Sequence, residues 1–286
     1  MSANDHLWMA RALQLARKGL YSTHPNPRVG CVIVKDGELV GEGWHVRAGE
    51  PHAEVNALRQ AGERAAGATA YVTLEPCSHY GRTPPCAEAL VKAGVGRVVA
   101  AMQDPNPQVA GRGLELLRSS GIEVASGVLE SEARALNPGF IKRMETGLPY
   151  LRAKLAMSLD GRTAMASGES QWITGPDARA EVQRLRAQSS VVLTGADTVL
   201  MDSARLTVRA AELRLDDELS ALAMQRQPLR VLVDGRLRVP LDAPFFLAGP
   251  ALVVSNSEDQ AARYKSAGHE LLALPGEAGR VDLRRL

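Results

Sequence analysis

The sequence of 286 residues has no apolar run that approaches the roughly 20 residues needed to cross a bilayer, which argues against a membrane-spanning segment. Residues 1–19 carry charges throughout and lack an unbroken apolar core, so they do not have the pattern of a signal peptide. We therefore expect a cytoplasmic protein with no membrane partner.

A strong excess of one charge is also absent, because 34 Lys and Arg face 32 Asp and Glu, for a formal net charge of +2. No long Lys/Arg run occurs, so the composition does not call for a nucleic-acid partner, whereas a small phosphorylated ligand is compatible with it. With 45% hydrophobic and 23% charged residues the chain is an ordinary globular protein, and its length predicts two domains.

Cysteine is scarce, and its count of three is odd. An odd count does not suit a disulfide framework, and two of the three lie in a patterned loop. Both facts favour a reducing compartment and metal ligation.

The first half of the chain alternates strand patterns with helix patterns, which predicts a layered α/β domain with helices covering a central sheet. The Asp36-Gly37 pair lies between two strand patterns and predicts a hairpin turn. The predicted helices are an N-terminal helix ending near Gly19, 52–61, 86–93, 113–119 and a helical stretch over 129–149, and the predicted strands are 29–34, 38–46, 70–74, 97–102 and 122–126.

A domain boundary is expected near residue 147, where Gly147 and Pro149 cluster after a helical pattern. This gives domains over 1–147 and 148–286. Alternation resumes in the second domain, which is again α/β, with predicted strands 150–156, 190–194, 230–233 and 251–255 and predicted helices 176–187 and 258–267.

Three short motifs of the first domain carry a metal-site pattern: PHAEV at 51–55, EPC at 75–77 and PPC at 84–86. Zinc in a hydrolytic site takes three protein ligands and keeps one position open for water, and His52, Cys77 and Cys86 supply that number. Glu54 stands two residues after the histidine and is the expected catalytic proton shuttle. Because Cys86 begins a predicted helix, we expect the helix dipole to lower its pKa.

Other readings of these residues stay open at this stage. Cys31 lies in an apolar strand and is expected to be a core residue. His24, His45 or His79 as a fourth ligand would close the site, so we leave them outside the metal set. A structural zinc module that binds a partner is the alternative to an enzyme, although such modules usually use four protein ligands.

The combination resembles the zinc-dependent nucleobase and nucleoside deaminases, which carry an H-x-E motif and a P-C-x-x-C motif. Here eight residues, 78–85, separate the two cysteines instead of two. The core motif alone leaves open a deaminase that acts on cytosine, guanine or tRNA adenine.

Four longer segments, THPNPRVGCVIVKDG, GEPHAEVNAL, TLEPCSHYGRTPPC and DPNPQVAGRG, resemble the RibD family of bifunctional pyrimidine deaminase–reductases in riboflavin biosynthesis. The resemblance implies a cytidine-deaminase-like three-layer domain that uses Zn²⁺. It also implies hydrolytic removal of the 2-amino group of 2,5-diamino-6-ribosylamino-4(3H)-pyrimidinone 5′-phosphate. The residues that it implies for holding this phosphorylated pyrimidine are Asn26, Arg82, Thr83, Asp104 and Asn106.

The second half resembles the reductase domain of the same family, which is similar to dihydrofolate reductase. The segments KLAMSLDGRTAMASGESQWITG and LRAQSSVVLTGADTVLMDSARLTVR carry this resemblance, and no G-x-G-x-x-G motif is present. It implies hydride transfer from NADPH that converts the ribosyl group to ribityl. The implied NADPH residues are Ala156, Trp172, Thr198, Asp202 and Gly235, and the implied reductase substrate residues are Ser170, Arg186, Leu206 and Arg209.

The resemblance also implies a C-terminally incomplete reductase domain, because residues 150–286 end in VDLRRL before the family's later strands and a glycine-containing loop over the NADPH phosphates. We therefore expect an active deaminase half and a weak reductase half. The assembly state stays open between a single chain and a homo-oligomer.

Overall fold

The computed structural model describes residues 2–80 and 84–286. The chain divides into two compact units that meet in sequence between Lys154 and Leu155. Over the described residues, no helix is both long enough and apolar enough to cross a membrane.

Unit 1 is built on a five-stranded mixed sheet in the order β2-β1-β3-β4-β5. β1 pairs antiparallel with both β2 and β3, which confirms the predicted hairpin, whereas β3, β4 and β5 are parallel. The strands are β1 Gly30–Lys35, β2 Glu38–Trp44, β3 Thr69–Val72, β4 Arg97–Ala100 and β5 Glu123–Ser126.

Helices cover both faces of this sheet, so unit 1 has the three layers that the resemblance implies. One apolar cluster joins α2, α3 and α4 to one face, and a second joins α1, α5 and α6 to the other. The helices are α1 Ala3–Arg17, α2 Ala53–Ala61, α3 Cys86–Lys92, α4 Arg112–Ser119, α5 Glu130–Leu136 and α6 Pro138–Thr146.

Helix α2 packs directly onto the backbone of β2. A Cβ atom at Gly43 would come within 2.6 Å of the carbonyl oxygen of Ala53, and one at Gly41 would overlap the carbonyl oxygen of Ala57. Glycine is therefore required at both positions for the helix to lie this close to the strand. The contact sets the distance from the sheet at which α2 begins.

Helix α1 is fastened to the sheet by a buried carboxylate. Ser2 caps the helix, and Asp5 accepts hydrogen bonds from Arg97 Nη1 at 2.7 Å and Tyr71 Oη at 3.1 Å. The Arg97 guanidinium beside Asp5 holds the pKa of that carboxyl well below its usual range. Arg97 also donates to the exposed Glu123.

Unit 2 contains a four-stranded parallel sheet in the order β6-β7-β8-β9, with Phe245, Leu232 and Val253 in its core. Its strands are β6 Val191–Gly195, β7 Leu229–Val233, β8 Leu252–Ser255 and β9 Glu270–Ala273. Its helices are α7 Pro176–Gln188, α8 Ala196–Asp202, α9 Ala210–Leu213, α10 Asp217–Met224, α11 Pro244–Leu247 and α12 Ala261–Ser266.

Two of the predicted elements differ from the structure. The predicted strand over 150–156 is wrong, because these residues have no regular structure and leave Leu151 and Leu155 exposed. The helical stretch over 129–149 is two helices, because Pro138 lacks the N–H that would continue α5 and disfavours a helical backbone at Asn137.

We expect Asp5→Asn to lower the free energy of unfolding by about 2–3 kcal/mol at pH 7, since it removes a charge-assisted hydrogen bond from a buried site. A carboxylate whose pKa is lowered in the native state stabilises the fold at pH values above its pKa in the unfolded chain, about 3.9. This stabilisation is lost as the pH falls toward the native pKa. The difference between wild type and variant, measured by urea unfolding, should therefore shrink below about pH 4.

Glu123→Gln is the matched control, because it removes the exposed partner of the same arginine. Its effect should stay below about 1 kcal/mol, as is usual for surface ion pairs. Equal effects of the two substitutions would contradict the role assigned to Asp5.

Candidate active site

The predicted metal motifs of unit 1 converge beside a cavity of about 480 Å³. His52 is the N-cap residue of α2, and Glu54 lies in the first turn of that helix. Cys77 follows β3, and Cys86 is the first residue of α3. Two features thus bring the start of α2 and the segment after β3 together. One is the contact of α2 with the glycines of β2, and the other is the central position of β3 in the sheet.

His52, Cys77 and Cys86 place one nitrogen and two sulfur atoms within 4.8 Å of one another. His52 Nδ1 lies 3.7 Å from Cys77 Sγ and 3.2 Å from Cys86 Sγ. A tetrahedral zinc ion with Zn–S near 2.3 Å and Zn–N near 2.0 Å separates such ligand atoms by about 3.6 Å. The three side chains therefore fit zinc.

The two thiols have opposite pKa shifts. The pKa of Cys77 is lowered to about 4, chiefly by the hydrogen bond from the Cys86 side chain, with His52 and the Cys86 backbone N–H contributing. The pKa of Cys86 is raised, because the sulfur of Cys77 lies beside it and the residue is buried. The backbone N–H at the start of α3 donates to Cys77 Sγ at 3.3 Å, so the sulfur that receives this N–H is that of Cys77.

Glu54 is buried at 3% exposure and lines the cavity beside the three ligand atoms. Burial, with the sulfur of Cys77 adding to it, raises the pKa of this carboxyl to about 7. A divalent cation at the ligands would act in the opposite direction. A buried carboxyl that exchanges protons near neutral pH, next to three potential zinc ligands, can serve as a general acid and base.

His45 is a cavity residue that our sequence analysis considered only as a fourth metal ligand. Its Nδ1 donates to the carbonyl oxygen of Pro51 at 3.2 Å, which leaves Nε2 to accept from Asn26 Nδ2 at 3.1 Å. Burial lowers the pKa of this histidine, in keeping with a neutral ring. His45 therefore orients the Asn26 amide so that its oxygen stays available. The one sequence signal for His45 is its position directly after the partly buried strand β2.

The turn that follows β4 forms another part of the cavity wall. Asp104 and Asn106 both line the cavity, and Asp104 Oδ1 accepts from the Asn106 backbone N–H at 2.8 Å. Burial, with the charge of Glu75 adding to it, raises the pKa of Asp104 to about 6. Arg82 and Thr83, which the resemblance assigns to the same substrate, lie outside the described residues.

The remaining histidines and the third cysteine do not join the metal ligands. Cys31 is fully buried in the apolar cluster under α2, and His79 lines the cavity. Among the described residues, the only group of three or more His, Cys, Asp or Glu side chains that could hold a metal is the set named above. Three ligands beside a buried Glu54 suit a catalytic site better than a closed structural one.

In unit 2 the structure brings the implied reductase substrate residues Arg186, Leu206 and Arg209 together. Arg186 Nη1 donates to the carbonyl oxygen of Thr207 at 3.3 Å, next to Leu206, which has a positive φ of 57°. Arg209 Nη2 donates to the Glu212 carboxylate at 2.7 Å. Burial and, to a smaller extent, the charge of Arg209 lower the pKa of Arg186.

The implied NADPH residues gather in part at the carboxyl edge of the parallel sheet. Thr198 and Asp202 lie on α8 directly after β6, and Gly235 follows the neighbouring strand β7. Ligands of parallel α/β sheets bind at this edge. Ser170 Oγ, from the implied substrate set, lies 3.4 Å from Asp202 Oδ1. The exposed ring of Trp172 contacts the guanidinium group of Arg179. Ala156 is half-buried.

Comparison with known proteins matches both units. Residues 2–102 match the model of the cytidine and deoxycytidylate deaminase zinc-binding region, and residues 149–286 match that of the RibD C-terminal domain. The riboflavin biosynthesis protein RibD of Escherichia coli (strain K12) is 59% identical over 283 residues, which cover 98% of this chain and 76% of that protein.

Solved structures give the same result. Acinetobacter baumannii RibD superposes with a TM-score of 0.85 at 55% identity, over 96% of this chain and 75% of that one. A Thermotoga maritima diaminohydroxyphosphoribosylaminopyrimidine deaminase/5-amino-6-(5-phosphoribosylamino)uracil reductase superposes with a TM-score of 0.79 at 40% identity, over 90% of this chain and 71% of that one.

We expect the purified protein to hold about one zinc ion per chain, and Cys77→Ser and Cys86→Ser to lose it, because a hydroxyl is a poor replacement for a thiolate ligand. Metal content by elemental analysis and release of ammonia from the substrate should fall together. Cys31→Ala is the matched control and should keep both. Full zinc content in either serine variant would show that the ligand set is wrong.

Proposed function

The chain belongs to the RibD family, and on that basis we propose which of its residues carry out the two reactions of the family. It is a bifunctional enzyme of riboflavin biosynthesis that uses zinc and NADPH. It hydrolytically deaminates 2,5-diamino-6-ribosylamino-4(3H)-pyrimidinone 5′-phosphate and then reduces the ribosyl group of the product to ribityl. The observation that carries the deaminase assignment is the His52, Cys77 and Cys86 cluster beside the buried Glu54.

In the deaminase half, His52, Cys77 and Cys86 are the proposed zinc ligands. Zinc, when bound, supplies a Lewis acid that allows water to act as a nucleophile near neutral pH. The Glu54 carboxylate is the proposed acceptor of the proton from the attacking water. The same carboxyl then delivers this proton to the ring nitrogen. It next takes the proton of the hydroxyl group that the attack has formed on the ring carbon and passes it to the amino group, which leaves as ammonia while a carbonyl group forms. The raised pKa of Glu54 supports this role.

The proposed substrate contacts lie around the same cavity. Asn26, oriented by His45, is assigned to the pyrimidine or the ribose, and its carbonyl oxygen is the group free to accept from an N–H or O–H. Asp104 and Asn106 are assigned to the ribose phosphate end, and their position on the cavity wall supports this assignment. Arg82 and Thr83 are assigned to the same ribose phosphate end on the resemblance alone.

In the reductase half, the proposed NADPH residues are Ala156, Trp172, Thr198, Asp202 and Gly235, and the proposed substrate residues are Ser170, Arg186, Leu206 and Arg209. NADPH, when bound, supplies the hydride. Two guanidinium groups of this segment support an anion site for the substrate phosphate. Arg186 donates to the carbonyl oxygen of Thr207, and Arg209 donates to the Glu212 carboxylate.

We propose the domain limits 1–147 and 148–286 for the two halves. The Gly147–Pro149 cluster and the start of the reductase match at residue 149 support this position. The division into compact units lies a few residues later, between Lys154 and Leu155.

Besides the cofactors, the small-molecule partner that we propose is the phosphorylated pyrimidine. We propose neither a nucleic acid nor a membrane as a partner. The proposed location is the cytoplasm. A homo-oligomer is the protein assembly that we propose. Sedimentation velocity would test the assembly, and a single-chain mass would contradict it.

Glu54→Gln should keep zinc and lose deamination by on the order of 10²-fold or more, because an amide cannot accept and return the proton. Ammonia release and zinc content are the two measurements. Glu63→Gln, an exposed position just after the same helix, is the matched control and should remain active. Near-normal turnover of the Glu54 variant would assign the proton transfer to another group.

Arg209→Ala should raise the reductase KM for the phosphorylated substrate about tenfold or more, since a charge-assisted phosphate contact contributes about 1.5–3 kcal/mol. Substrate-dependent oxidation of NADPH is the assay. The dephosphorylated analogue should show little change, and Arg263→Ala on α12 should behave as wild type. A similar KM change for both substrates would place Arg209 away from the phosphate.

A further inference from the structure

Glu75 is a buried carboxylate, 3% exposed, whose hydrogen bonds all come from backbone N–H groups of one later segment. Its Oε2 accepts from Asp104 at 3.1 Å and Gly111 at 2.9 Å. Its Oε1 accepts from Gly113 at 2.8 Å and Leu114 at 3.3 Å. A single side chain thus closes residues 104–114 into a loop, here called the 104–114 loop, at the start of α4.

The 104–114 loop lies against the segment that carries the metal ligand Cys77. A Cβ atom at Gly113 would overlap the carbonyl oxygen of Pro76, so only glycine permits this approach. Gly111 adopts a positive φ of 84°, which turns the loop into α4. The backbone N–H of Glu75 donates to Met102 at 3.0 Å, which fixes the other side of the same segment.

The cavity face of this loop carries Asp104, Asn106 and Val109. Asn106 is held within the loop, because its backbone N–H donates to Asp104 and its carbonyl oxygen accepts from Val109 at 2.8 Å. These bonds shape the loop but do not attach it to the rest of the unit. The attachment on the side of the metal ligands comes from the Glu75 carboxylate and the Gly113–Pro76 approach.

We propose that Glu75 is a positioning residue that holds the ribose-binding wall of the deaminase cavity in register with the metal ligands. This inference rests on the proposed function, since it takes Asp104 and Asn106 as substrate contacts. Glu75 itself is not a metal ligand or a proton carrier. Both of its oxygens are occupied by N–H groups, and it is not part of the three-residue metal cluster of the described chain.

The charge of Glu75 matters because its partners are four donors and no acceptor. A glutamine would keep the shape but turn an NH₂ group toward two of the four N–H groups, which leaves those donors unsatisfied. The loop should then move away from Pro76, and the contacts that depend on its position should weaken. A misplacement of about 1 Å is enough to disturb binding geometry.

The test compares Glu75→Gln with Asp5→Asn, because both remove the charge of a carboxylate that is buried in unit 1 and accepts several hydrogen bonds. For Glu75→Gln we expect about one zinc per chain, a deaminase KM raised about tenfold and kcat within about threefold of wild type. Asp5→Asn should lower thermal stability but leave KM unchanged. A buried carboxylate with only a structural role would behave as Asp5 does.

Hydrogen exchange provides a second readout that does not depend on turnover. The amides of Asp104, Gly111, Gly113 and Leu114 should exchange faster in Glu75→Gln than in wild type, whereas those of β4 should not. Glu75→Asp, which keeps the charge but withdraws it by one methylene, should fall between the two in both KM and exchange. If Glu75→Gln does not fold, Glu75→Asp is the variant on which KM and exchange are measured.

Wild-type KM together with wild-type exchange in the 104–114 loop would overturn the proposal, and so would loss of zinc with an unchanged loop. If wild type itself releases no ammonia from the pyrimidine nucleotide, the proposed function fails instead. The exchange measurement still decides whether Glu75 holds the loop.

Discussion

The approach of α2 to the backbone of β2 is the contact on which the deaminase site depends. Gly41 and Gly43 let the helix lie against the strand at a distance that any side chain would increase. Since His52 is the N-cap of α2, this distance sets where the imidazole stands relative to the two cysteines, which belong to the other segment. A displacement of one atom's width would take the ligand set outside the range that zinc accepts.

The rest of the site follows from the direction of the strands. Because β3 and β4 are parallel neighbours, the segments that follow them leave the sheet at the same edge. One carries Glu75 and Cys77, and the other carries Asp104 and Asn106. The polar groups of the site therefore lie at the end of a sheet whose interior is almost entirely apolar, where burial shifts the pKa of Glu54 and Asp104 upward.

The alternation of strand and helix patterns was sufficient to predict the layers, the hairpin and most strands of both units. It failed where local pattern and tertiary context disagree: residues 150–156 alternate like a strand but have no regular structure, and β9 was missed. At the site, residue types and spacing were enough to propose the metal ligands and Glu54. The partner of the Cys86 backbone N–H could not be predicted from the sequence, because a helix start does not show that the sulfur of Cys77 receives it.

The sequence did not indicate Glu75 and His45 as positioning residues, because their hydrogen-bond partners are distant in sequence or are backbone atoms. The residues assigned to substrate and NADPH stay predictions. For Arg186 and Arg209 the structure adds their hydrogen bonds to the Thr207 carbonyl oxygen and the Glu212 carboxylate.

The connection of Arg28 to Asn137 bears on how unit 1 forms its fold. The Asn137 amide accepts from the Arg28 backbone N–H at 2.8 Å and donates to its carbonyl oxygen, across 109 residues of chain, and Asp5 meets Arg97 across 92. Such contacts raise the contact order of the unit, and a higher contact order slows folding. During synthesis, the early strands and α1 must wait for residues near 137 to emerge before these bonds can close. The deaminase unit therefore reaches its native topology late, when most of its length is already outside the ribosome.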